Sequence, residues 1–244
     1  MTSRFAVILL DIDGTLIHAA GAGRRSINRA LVEHCRTATA TAEAALTALR
    51  LDGMTDRLIV REGMKLLGHP FDDAACDAVL ARYVAHLERE LAAAPDAAAR
   101  HGFSVLPGVE ALLAALAGRR RPYGLCTGNV LEGARHKLAR GRLDRWFEWH
   151  PEAIGGFAHD GEERRRVVEA AVRRASARLG RAVAPAECLV VGDTPRDVEA
   201  AHAAGCPALA VATGNYTVEA LAATGADRVV PTLEHPDAQT WLLG

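Results

Sequence analysis

The chain has 244 residues, half of them hydrophobic, enough to bury one large core or a core plus a smaller satellite domain without disulfide or metal staples. Its 29 Lys and Arg stand against 30 Asp and Glu, a net charge of −1 that gives no long-range field for nucleic acid or an anionic membrane, so neither is expected as a partner. The five cysteines, Cys35, Cys76, Cys126, Cys188 and Cys206, are scattered with no Cys-x-x-Cys pair, which argues against a disulfide framework or a zinc site and for a reducing, cytoplasmic setting. The start of the chain lacks the apolar core and small-residue cleavage site of a signal peptide, and no apolar run approaches the length of a membrane span.

The first predicted element is a strand. Phe5 to Leu10 is a continuous apolar run, the pattern of a buried parallel strand. It leads straight into Asp11-Ile12-Asp13-Gly14-Thr15, where two carboxylates two residues apart point to the same side. Ligands of open α/β sheets collect at that carboxyl edge. Two acids there can hold a cation, or divide the work of nucleophile and proton carrier.

From Arg24 to about Arg100 the β-branched runs vanish and apolar residues recur at helical spacing. Helices are predicted over Ser26–Cys35, Glu43–Leu51, Arg57–Leu67 and Ala74–Leu91, with breaks at Gly68-His69-Pro70 and around Pro95. This is an all-helical insert of about four helices. After Pro107-Gly108 helices and strands alternate: helix Val109–Leu116, strand Pro122–Cys126, helix Leu131–Ala139, a weaker strand Ala153–Phe157, helix Glu162–Leu179, strand Cys188–Val191. Helix Val198–Ala204, strand Ala208–Val211, helix Val218–Ala223 and strand Arg228–Val230 complete the series. The expected fold class is therefore α/β: a Rossmann-like parallel sheet core (residues 1–19 and 105–244) interrupted by the helical insert (20–104).

Two further strand ends carry suitable chemistry. Thr127-Gly128-Asn129 sets a hydroxyl, an approachable amide and a side-chain amide at a helix start, where an anion is favoured, although Thr and Asn are equally apt as plain N-caps. Gly192-Asp193-Thr194-Pro195-Arg196-Asp197 adds two acids, with proline suited to opening the next helix.

In this conjunction the sequence resembles the haloacid dehalogenase superfamily of hydrolases, in the helical-cap branch that includes phosphoglycolate phosphatases. Its Asp-x-Asp-Gly-Thr signature is matched by Asp11, Asp13, Gly14 and Thr15, its second motif by Thr127, and its fourth by Gly192-Asp193 with Asp197. The helical insert lies where that family carries its cap domain. The third motif departs from the commoner Lys-Pro pattern. Arg164 is the choice here, at the opening of the helix before the Asp193 strand; Arg166 and Lys137 stay open, and so does a solvated helix face with Glu162 and Glu163 paired to the arginines.

The resemblance implies a Mg²⁺-dependent phosphatase acting on a small phosphorylated metabolite. Asp11, the Asp13 backbone carbonyl, Asp193 and Asp197 would hold the metal, the last directly or through water. Asp11 would attack phosphorus to form an aspartyl phosphate, and Asp13 would carry the proton. Thr127, Gly128, Asn129 and Arg164 would bind the phosphoryl oxygens. The insert would act as a lid hinged near Ile17 to Ala20 and Ser104 to Pro107. Gly21-Ala22-Gly23-Arg24-Arg25 and Gly53-Met54-Thr55-Asp56 are candidate substrate contacts, or simply a helix start and a capping box. A phosphomutase of the β-phosphoglucomutase type shares the same aspartates and is the alternative. A dehalogenase has no use for Asp13 and the metal acids, and a phosphonatase needs a cap lysine that is missing between Asp13 and Lys65. A catalytically silent relative is disfavoured because none of the acids is lost.

Overall fold

In this computed structural model, which describes residues 4–96 and 102–244, the chain opens with β1 (Val7–Leu10), β2 (Ile17–Ala19), α1 (Ala22–Cys35), α2 (Thr39–Thr47), α3 (Asp56–Leu66) and α4 (Asp73–Ala93). It continues with β3 (Phe103–Val105), α5 (Val109–Gly118), β4 (Tyr123–Cys126), α6 (Leu131–Arg140), β5 (Gly155–Gly156), α7 (Arg164–Leu179) and β6 (Cys188–Gly192). The last elements are α8 (Pro195–Ala203), β7 (Ala208–Val211), α9 (Val218–Ala222), β8 (Arg228–Val230) and α10 (Pro236–Leu243).

All four residues of β1 are buried, because both faces of its sheet are covered. The sheet order is β5-β4-β1-β6-β7-β8 with every pair parallel, so β1 sits between β4 and β6, with Leu9 opposite Gly124 on one side and Val190 on the other. Alternate side chains of β1 face different cores: Ile8 and Leu10 join Leu112 and Leu138, whereas Val7 and Leu9 join Val167, Val168 and Val198. The first of these cores runs without a break into the insert, reaching Ile27, Leu31, Met64, Val79 and Leu87. The insert is thus an extension of one apolar cluster and consists of α1 to α4. No helix among the described residues is long and apolar enough to cross a membrane, and the five cysteines are free and buried.

Two local expectations need correction, and the expected hinge segments carry a pairing that the sequence did not show. The segments read as hinge linkers are paired: β2 and β3 form an antiparallel ribbon in which Ile17 faces Val105 and Ala19 faces Phe103. The two chain crossings between sheet and insert run side by side, and pairing satisfies their backbone groups; three-residue strands are too short to leave a periodic signal. The weak strand read over Ala153–Phe157 shrinks to Gly155–Gly156. At the end of the chain, where no element was expected, α10 buries Leu242 and sets Trp241 against Phe5 with ring centroids 5.6 Å apart. Arg100, near which the helical pattern was expected to end, lies outside the described residues.

Candidate active site

β1 delivers Asp11 to the sheet edge still in register, its amide donating to the Val191 carbonyl at 2.9 Å. The chain then reverses tightly: the Leu16 and Ile17 amides both donate to the Ile12 carbonyl, at 2.8 and 3.0 Å. Gly14 is the residue that permits this, with φ of 78° and with Asp193 Oδ2 only 2.2 Å from where a Cβ would stand. The neighbouring strand β6 ends at Gly192 and presents Asp193, while Asp197 sits in the first turn of α8, where Thr194 caps the helix and donates its hydroxyl to Asp197 Oδ2 at 2.7 Å.

Carboxylate oxygens of Asp11, Asp193 and Asp197, all buried, lie within 4.8 Å of one another. This is a compact aspartate-rich cluster of the kind that holds a metal in haloacid dehalogenase-like enzymes. Hard oxygen donors and concentrated negative charge fit a small divalent cation. Among the protein's own groups, Arg164 answers that charge. It opens α7, its Nη2 lies 3.0 Å from Asp11 Oδ1, and it forms a second, closer ion pair with Asp197. Burial lifts the Asp11 carboxyl to about 6, Arg164 opposing the rise and Asp197 and Asp13 adding to it. Asp193 is lifted well above the carboxylate range by burial and then by Asp197 and Asp11. Burial disfavours the Arg164 charge, but Asp197 and Asp11 outweigh it and hold the guanidinium firmly protonated.

Asp13 turns away from this cluster. Lys137, on α6, donates to Asp13 Oδ2 and to Asn129 Oδ1, both at 2.6 Å, and Asn129 Nδ2 reaches Asp13 Oδ2 at 2.9 Å and Thr127 Oγ1 at 2.7 Å. Lys137 is 4% exposed. Enclosure pushes the Asp13 carboxyl up, but the Lys137 charge and hydrogen bond, with help from Asn129, leave it below its ordinary value. The two acids of the Asp-x-Asp turn therefore sit in opposite electrostatic surroundings.

The insert closes the other side. The Asp56 amide donates to the Gly128 carbonyl at 2.7 Å, and Asp56 Oδ2 accepts from the Val130 amide at 2.8 Å. Thr55, the N-cap of α3, also donates its hydroxyl to the Glu162 carbonyl at 2.7 Å, and Arg164 Nη1 reaches the Gly53 carbonyl at 3.3 Å. Between insert and sheet edge lies a cavity of about 370 Å³.

Of the residues singled out from sequence, Asp11, Asp13, Thr127, Gly128, Asn129, Arg164 and Asp193 line this cavity, with Asp197 behind the cluster. Both open candidates for the basic position are separated by the geometry: Lys137 lies inside, whereas Arg166 is on the surface beside Glu169. Gly23, Arg24, Met54 and Asp56 from the two candidate contact stretches are also in the lining. The sequence reading missed Tyr83, whose position on α4 carries only the signal of a buried helical face.

Fold and site together define a hydrolase with an aspartate-rich centre at the end of the central strand, under a helical insert. The chain belongs to the haloacid dehalogenase-like hydrolases, whose family profile matches residues 5–205. It is 35% identical over 225 residues to a phosphoglycolate phosphatase of Rhodospirillum rubrum, covering 90% of this chain and 84% of that protein. Its fold is similar to a crystal structure of a haloacid dehalogenase hydrolase from Entamoeba histolytica (TM-score 0.67, 19% identity, 97% of this chain and 98% of that one). A hydrolase from Pseudomonas syringae is similar too (TM-score 0.61, 20% identity, 96% and 98%).

Proposed function

We propose that this hydrolase is a Mg²⁺-dependent phosphatase that cleaves a small phosphorylated acid such as phosphoglycolate through an aspartyl phosphate on Asp11. The observation that carries the reading is the division of labour between the two acids of one turn: Asp11 belongs to the metal-type cluster, Asp13 to the Lys137 and Asn129 network. Asp11, Asp193, Asp197 and the Asp13 carbonyl are the ligand set, and Mg²⁺ bound there supplies charge neutralisation of the carboxylates and the phosphoryl oxygens.

Asp11 is the nucleophile: its oxygen forms the new bond to phosphorus as the bond to the ester oxygen breaks. Asp13, outside the cluster, reacts through its protonated fraction: it passes that proton to the departing oxygen and regains one from the water that opens the acyl phosphate, which returns it to its starting form. Thr127, the Gly128 amide, Asn129 and Arg164 hold the equatorial oxygens; the Arg164 fork keeps its charge at any working pH. Residues 20–104 serve as the lid over a core of 1–19 and 105–244, and the insert contacts at Thr55 and Asp56 are its closed-state latches.

A cavity of about 370 Å³ has room for a small acid, and the 35% identity to a phosphoglycolate phosphatase supports phosphoglycolate as the first substrate to test. The test is phosphate release by purified protein with Mg²⁺ or with EDTA, across phosphoglycolate, sugar phosphates and p-nitrophenyl phosphate. Asp11→Asn is expected to lose activity by about 10³-fold or more while keeping its circular dichroism, since the nucleophile is gone and the shape is not. Turnover retained in that variant rejects the mechanism. Interconversion of sugar phosphates without release of phosphate replaces it with the phosphomutase reading.

A further inference from the structure

The catalytic cavity has a second wall that the reaction above does not use. On its insert side α1 begins at Ala22 after the left-handed Gly21, with no side chain capping its first amides and no acid in its first turn. Those amides carry the positive end of a 14-residue helix. The obvious charged neighbour is engaged elsewhere: Arg24 donates to the Leu46 and Leu49 carbonyls, at 3.4 and 2.9 Å.

Two side chains meet this helix start. Tyr83, 1% exposed, lines the cavity, and its hydroxyl has no hydrogen-bond partner among the described residues. Lys137 has three donor hydrogens, and Asp13 and Asn129 account for two. A Cβ placed on Gly23 would lie 3.3 Å from Lys137 Nζ and 3.9 Å from the Tyr83 hydroxyl, so the absent side chain of Gly23 leaves a gap bounded by both. Asp56, which also faces Lys137, is engaged by the Val130 amide.

We propose that the first-turn amides of α1, the Tyr83 hydroxyl and the free donor of Lys137 form a subsite for the carboxylate of the substrate's leaving group, with Gly23 kept small to admit it. The inference rests on the phosphatase reading and adds the residues that choose the substrate. Distance supports it. Lys137 Nζ is 2.6 Å from the Asp13 oxygen, and a leaving oxygen within hydrogen-bond reach of Asp13 lies about 2.8 Å further on. A carboxyl group bonded directly to the ester carbon spans that interval. The chemistry selected is thus a phosphorylated 2-hydroxy acid, in which the negative charge sits one carbon from the phosphoester.

The experiment compares phosphoglycolate with 2-hydroxyethyl phosphate, the same ester with the carboxylate replaced by a hydroxymethyl group. The wild-type enzyme is expected to favour the acid by about tenfold or more in kcat/KM, the range of a charge-assisted hydrogen bond. Tyr83→Phe removes one donor without changing the ring, and Gly23→Ala fills the gap at a helical position that alanine suits. Each is expected to cut the acid-to-neutral ratio by about fivefold or more, chiefly through KM for the acid. A wild-type ratio near one, or a ratio that neither variant moves, overturns the subsite while leaving the phosphatase intact. Absence of phosphate release from both esters and from p-nitrophenyl phosphate overturns the phosphatase reading and the subsite with it.

Discussion

The Lys137 ammonium sits 2.6 Å from the Asp13 carboxylate, and this ion pair ties the proton carrier proposed for the first strand end to the helix that follows the second. The lysine is buried, whereas Asp13 remains 44% exposed on the cavity side. One Asp13 oxygen is thereby anchored, and the carboxyl is oriented across the mouth of the site. The same lysine fixes Asn129, so a single ammonium organises both the acid and the amide beside the phosphoryl position.

That arrangement makes a leaving-group prediction. Lys137→Met keeps the apolar stem but frees Asp13, so steps that need the proton should suffer most. With 2-hydroxyethyl phosphate, whose alkoxide departs only when protonated, kcat is expected to fall by about 10²-fold. With p-nitrophenyl phosphate, whose phenolate departs unaided, the fall should be about tenfold smaller. Equal losses on both esters would show that Lys137 acts on the phosphoryl group and not on Asp13.

The acid cluster predicts a metal-dependent melting temperature. Asp11, Asp193 and Asp197 repel one another in a buried site where Arg164 is the paired cation. A ligand that binds only the folded state at one hundred times its Kd contributes about 2.7 kcal/mol, which in a chain of this size raises Tm by roughly 5 to 10 °C. EDTA should reverse the rise, and Asp193→Asn should abolish most of it. A Tm indifferent to Mg²⁺ over the millimolar range would remove the cluster as a metal site.

Arg164 has a structural role and a catalytic one, and they can be separated. Arg164→Ala leaves Asp11 and Asp197 buried without their ion-pair partner, a loss on the order of 3 kcal/mol in the metal-free protein. Mg²⁺ supplies replacement charge, so most of the lost Tm should return on adding it. The phosphate clamp does not return: kcat/KM is expected to stay about 10²-fold low with Mg²⁺ saturating. Full recovery of activity would restrict Arg164 to holding the acids apart.

Much of this site was legible in the sequence because its parts lie at strand ends, and buried strands announce themselves. Val7–Leu10, Tyr123–Cys126 and Cys188–Gly192 are short apolar runs, and the residues after each are Asp11, Thr127 and Asp193. The relation between Lys137 and Asp13 was not legible. It spans 124 positions and depends on how α6 is rotated about its axis, which a helical pattern of buried residues fixes only loosely. Tyr83 was hidden for a related reason: a large amphipathic residue on the buried face of α4 reads as core, and its free hydroxyl is a fact of packing. The β2–β3 ribbon escaped because its two strands are three residues each and far apart in the chain.

The contact between insert and core carries its own titration. Asp56 is buried against the Thr127–Val130 turn, and burial lifts its carboxyl from 3.8 to about 6, with Lys137 and the Val130 amide opposing the rise. A carboxyl whose folded pKa exceeds its unfolded one binds more protons in the folded state between those two values. Stability therefore declines as pH rises through about 4 to 6 and stays at the lower level above that window. The full shift corresponds to an effect on the order of 3 kcal/mol. Asp56→Asn keeps an oxygen for the Val130 amide and removes the charge, so its Tm relative to wild type should be several degrees more favourable at pH 8 than at pH 4. The diagnostic is the slope with pH, since the new amide nitrogen shifts both ends of the scale together. Parallel Tm curves for the two proteins across pH 4 to 8 would mean that Asp56 is ionised at no cost, held by Lys137 across the seam between insert and core.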